Sequence, residues 1–70
     1  MTESEIRPWL ERWVRVTLAD GRIFAGKLGH QGTHYTVTTP APDKRERDVV
    51  EKIHSGDQIT TIEAAPEFGR

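Results

Sequence analysis

Val14-Arg15-Val16-Thr17-Leu18-Ala19-Asp20-Gly21-Arg22-Ile23-Phe24-Ala25-Gly26-Lys27-Leu28 is the stretch that decides the fold of this 70-residue chain. Val14, Val16 and Leu18 alternate with Arg15, Thr17 and Ala19, the period of a half-buried strand. Asp20-Gly21 predicts a two-residue type I′ hairpin turn. Phe24, Gly26 and Leu28 resume the alternation on a return strand, with Arg22, Ile23, Ala25 and Lys27 between them. Gly26 and Gly29 mark places where that strand can bend, because glycine removes the steric cost of a kink or bulge. A bent second strand can serve both sides of a small barrel.

Upstream, residues 4–13 predict a short helix. Ser4 is the expected N-cap, Glu5 favours the first turn, and Ile6, Trp9, Leu10 and Trp13 share one face. Pro8 is tolerated only near a helix start, which moves the expected beginning toward Arg7 or Pro8. So short a helix needs a sheet to rest on.

Downstream, residues 34–39 predict a third strand with Tyr35 and Val37 on one face and threonines on the other. Pro40-Ala41-Pro42-Asp43 ends it, and residues 44–48 form a charged loop. Residues 49–54 predict a fourth strand, Ser55-Gly56-Asp57 a tight turn, and residues 58–63 a fifth strand. The expected organisation is one domain over residues 1–63, with the barrel in 13–63 and a flexible tail in 64–70.

Size and charge narrow the function classes. Seventy residues allow one modest core, and the absence of cysteine removes disulfides and thiolate chemistry. Oligomerisation is the remaining support for so small a domain. The formal net charge of −1 gives no overall attraction to nucleic acid, so any such binding must come from a local patch. No apolar run reaches the roughly 18 residues of a membrane span, and no signal-peptide core follows Met1-Thr2-Glu3. A cytoplasmic location is the expectation.

The stretch 14–28 resembles the first half of the first Sm motif: alternating apolar residues, Leu-x-Asp-Gly-Arg, then an aromatic, a glycine and a leucine. Gly56-Asp57-Gln58-Ile59-Thr60-Thr61-Ile62 is similar to the latter part of the second. The resemblance to Sm-like proteins implies a mainly β fold, with a short N-terminal helix and a strongly bent five-stranded antiparallel small barrel of the SH3 type. It also implies a homo-oligomeric ring in which the fourth strand of one subunit pairs with the fifth of the next. The expected interface residues are Val49, Val50, Lys52 and Ile53 on one edge, and Gln58, Ile59, Thr61 and Ile62 on the other.

The same resemblance implies single-stranded RNA as a partner, bound by an Asp and an Asn of the first motif and an Arg of the second. Those positions fall here on Gly32, Thr36 and Ser55, and the chain contains no asparagine. His30, Gln31, His34, Tyr35, His54 and Ser55 are left as the candidate RNA contacts, since histidine and tyrosine stack on bases and hydrogen-bond to them. The alternative is a protein-interaction or scaffold module on the same barrel. A metal site is not expected from three histidines without cysteine or a paired acidic ligand. No Ser-His-Asp arrangement, phosphate loop or sizeable pocket is legible, so no enzyme activity, cofactor or small-molecule substrate is expected.

Overall fold

The computed structural model describes residues 1–43 and 45–68. Strands β1 (Trp13–Leu18), β2 (Ile23–Gln31), β3 (His34–Thr39), β4 (Val49–Ile53) and β5 (Ile59–Ala64) form one antiparallel sheet in the order β4-β3-β2-β1-β5. The sheet is not closed. β4 and β5 stand at its two ends.

Alternation places the core as expected. Val14, Val16, Leu18, Leu28, Tyr35, Val37, Ile53 and Ile59 are buried together with Ile6 from the N-terminal segment. Each fully buried aliphatic side chain of this kind contributes about 1.5–3 kcal/mol. Among the described residues no buried polar side-chain atom lacks a partner, and no helix is long and apolar enough to cross a membrane.

Gly26 marks a close approach of β2 to β3. A Cβ there would collide with the Thr38 carbonyl and stand 2.6 Å from its carbon. The two strands therefore approach more closely than any residue with a side chain permits, and Thr39 Oγ1 donates to the Ala25 carbonyl at 2.6 Å beside the crossing. Ile23 to Lys27 of β2 pair with β1, and Lys27 to Gln31 pair with β3. This is how nine residues serve both halves of the sheet.

The first hairpin departs from the expected type I′ turn. Gly21 has a left-handed φ of +92°, but Glu11 is the one non-glycine residue with positive φ among those described. Asp20 is thus not left-handed. Instead Gly21 N–H donates to the Leu18 carbonyl and Leu18 N–H to the Arg22 carbonyl, enclosing a three-residue loop. The Asp20 carboxylate accepts from both the backbone N–H and the Nε–H of Arg22. A side chain that satisfies the turn locally removes the need for a left-handed aspartate.

The helix is shorter than the expected 4–13. Helix α1 covers Glu3–Ile6 with Thr2, not Ser4, as N-cap, and a 3₁₀ turn follows at Arg7–Trp9. Thr2 and Glu5 form a reciprocal capping box, which fixes the start. Pro8 has no N–H to donate, so the α-helix does not continue past it. Glu11 then takes φ +65°, its N–H donating to the Leu28 carbonyl, and the chain enters β1. Trp13 consequently belongs to β1, on the face opposite Val14, and does not share the apolar face of Ile6.

Of the residues expected to form a flexible tail, Ala64 ends strand β5 and Ala65 is tied to β1. Ala64 pairs with Val14, and the N–H of the buried Ala65 donates to the Trp13 carbonyl. A 3₁₀ turn covers Pro66–Phe68, and Glu67 pairs with Arg15. Gly69 and Arg70 of that tail, and Lys44 of the charged loop, lie outside the described residues.

Candidate nucleic-acid interface

The β2–β3 and β4–β5 connections meet at one end of the sheet. Gly32-Thr33 closes the first, with Gly32 at φ +61° and Gln31 paired to His34. The second is a 3₁₀ turn at Gly56–Gln58, capped by Ser55, whose hydroxyl accepts the Asp57 N–H. Gln58 Oε1 accepts the N–H groups of His54 and Ser55. The N-terminal segment braces this turn: the Met1 α-amine donates to the Gly56 and Ile59 carbonyls, each at 2.8 Å.

Strand alternation divides the expected RNA contacts into two groups. His30 pairs with Tyr35 on the core side, and their rings stack with centroids 4.7 Å apart and planes 17° apart. Both line a pocket of about 440 Å³, together with Thr33, Ser55, Gly56 and Asp57. Tyr35 is buried and His30 exposed, so the stack joins the core to the pocket mouth. Gln31 and His34 point to the opposite face of the sheet, and His54 acts electrostatically on His34. A base seated against His30 therefore does not also meet His34. One expected site is two.

His34 titrates below its ordinary value, first because it is partly removed from water and then because of electrostatic repulsion from Lys52 and from the nearby His54 and His30 side chains.

The expected interface residues also divide. Val49 and Val50 are 53% and 59% exposed on β4, and Lys52, Gln58 and Thr61 are exposed as well. Ile53 and Ile59 are buried in the chain's own core, and Ile62 packs against that core. Their side chains hold the chain's own core together, which leaves only their backbone groups for an edge.

Trp13 and Lys27 are groove-lining residues that the sequence reading did not assign to a site. They face each other across β1 and β2 and line a second groove, of about 370 Å³, on the outer side of the sheet. The signal was present in the alternation, since Trp13 is out of phase with Val14, Val16 and Leu18, but the helical spacing to Ile6 and Trp9 masked it. Among the described residues no group of three or more His, Asp or Glu side chains is placed to hold a metal ion.

No family model, curated protein or solved structure matches the chain.

Proposed function

We propose that this protein is a ring-forming Sm-like assembly module that associates with single-stranded RNA. The observation that carries the assembly reading is the open sheet, with β4 at one end, β5 at the other and Val49 and Val50 exposed on β4. Unpaired strand edges are templates for another strand. Pairing β4 of one copy with β5 of the next satisfies both edges with one heterologous contact, and repeating that contact around a rotation axis closes a ring. Burial of the two valines adds apolar area to backbone pairing.

RNA association is supported by the stacked His30–Tyr35 pair beside Ser55. Such a stack offers an aromatic surface that is tolerant of base identity. Without asparagine in the chain, the reading is of weakly sequence-selective binding.

Light scattering coupled to size exclusion, with native mass spectrometry, tests the ring; a monomer at micromolar concentration overturns it. Fluorescence anisotropy with U-rich and A-rich RNA over a salt series tests association. Binding that weakens with salt supports it, whereas no binding at low salt leaves the scaffold reading.

A further inference from the structure

The Met1 nitrogen is held as a structural donor. Its α-amine donates to the Gly56 carbonyl and to the Ile59 carbonyl, each at 2.8 Å, across 55 and 58 positions of sequence. Both bonds are partly buried, and an ionised donor makes them stronger than a neutral pair. They bracket the 3₁₀ turn Gly56–Gln58 that carries β4 into β5.

The turn is fitted to the first residue as well as bonded to it. A Cβ on Gly56 would stand 2.8 Å from the Met1 carbonyl oxygen and 2.8 Å from Ile6 Cδ1. Ile6 is fully buried, and the Met1 side chain packs against the same core. The Gly56 carbonyl also accepts the Ile59 N–H, so the ammonium meets an acceptor that the turn has already aimed.

We propose that the Met1 α-amine is a latch on the β4–β5 turn, and that acylation of this nitrogen is the modification that releases it. An ammonium carries a charge and three N–H bonds, whereas an amide nitrogen is neutral and carries one. Transfer from an acyl thioester forms the N–C bond, breaks the donor's C–S bond, and releases the thiol and a proton. The product keeps at most one of the two hydrogen bonds and leaves a partly buried carbonyl without its donor. Any residue joined ahead of this nitrogen has the same effect, because it too makes an amide. Met1 and Thr2 line the His30–Tyr35 pocket together with Ser55, Gly56 and Asp57, so the state of the amine sets one wall of that pocket. The latch holds whatever the pocket binds.

Native-state hydrogen exchange and urea unfolding of the full chain test the latch, with the Met1 amine free and with it acetylated. Gly56→Ala is prepared in both forms. Acetylation is expected to speed exchange of the His54, Ser55 and Ile59 amides by about tenfold and to lower the urea midpoint. Gly56→Ala, which presses on the Met1 carbonyl, is expected to speed the same amides with the amine free. Acetylating that variant then adds less than about twofold, because both changes break one contact. The sign is diagnostic: removing a positive charge ahead of a helix N-terminus is by itself stabilising. An acetylated chain whose midpoint is unchanged or raised, with exchange within about twofold of the free form, overturns the latch. Full additivity of acetylation with Gly56→Ala overturns it as well.

Discussion

The backbone of Gly26 lies against the Thr38 carbonyl so closely that a single methyl group does not fit between them. This contact lies where β2 passes from pairing with β1 to pairing with β3.

Gly26→Ala is expected to be the most damaging small substitution in the chain. The obstacle is backbone, which cannot swing aside as a flexible side chain would, and overpacking of this kind costs about 3 kcal/mol or more. Gly21→Ala is the contrast: nothing lies within 4 Å of its Cβ position, and only the left-handed φ is unfavourable. That cost is about 1 kcal/mol. Urea unfolding of both variants checks the order, and equal midpoints would show that the Thr38 contact relaxes without cost.

Glu11 holds a left-handed conformation that a carboxylate side chain does not favour. Glu11→Gly is expected to preserve or raise stability by up to about 1 kcal/mol, while the β-branched Glu11→Val lowers it. Thermal denaturation of the pair distinguishes conformational cost from loss of the Lys27 ion pair, because both variants lack the carboxylate.

At the β4 edge, in the proposed strand-to-strand assembly, Val50→Lys is expected to shift the protein toward monomer without unfolding it. Val50 is exposed in the single chain, so the subunit's own core loses nothing. A lysine on an open edge discourages strand addition. Sedimentation velocity over a dilution series measures the shift, and an unchanged distribution would remove the valines from any self-contact.

Acidification is expected to lower stability partly through His34. Its pKa is depressed in the folded chain, so the unfolded chain binds its proton first. The contribution is present above the ordinary value of 6.5 and is lost as pH falls through that value toward the folded one. The Asp20 carboxylate, held low chiefly by the Arg22 backbone N–H, acts in the same direction at lower pH: its contribution is present above the ordinary carboxylate value of 3.8 and is lost below it. NMR titration of His34, with and without Lys52→Ala, checks the cause. A raised His34 value in that variant is expected, because one cationic neighbour is gone.

Arg15 pairs with both Glu63 and Glu67 and so fastens the last strand and the following turn to β1. The groups are exposed, so Arg15→Ala is expected to cost no more than about 1 kcal/mol globally. Its effect belongs at the C-terminal end, where hydrogen exchange of the Ala65 amide should accelerate most.

The sequence by itself determined the strands and the core. Val14, Val16, Leu18, Leu28, Tyr35 and Val37 declare their inward face by period two, and that signal is local, carried within each strand. It also marked Gly26, although not the Thr38 carbonyl that makes glycine obligatory there. Only the tertiary structure decided what lies beside what. Whether His30 and His34 cooperate depends on strand register, which puts one on each side of the sheet. Whether Trp13 closes a helix face or opens a groove depends on where Pro8 and Glu11 end the helix. Ala64 and Ala65 read as tail because their partners, Val14 and Trp13, are some fifty positions away along the chain. Local periodicity fixes which side of a strand a residue occupies; only the folded pairing fixes its neighbours, and a binding surface is made of neighbours.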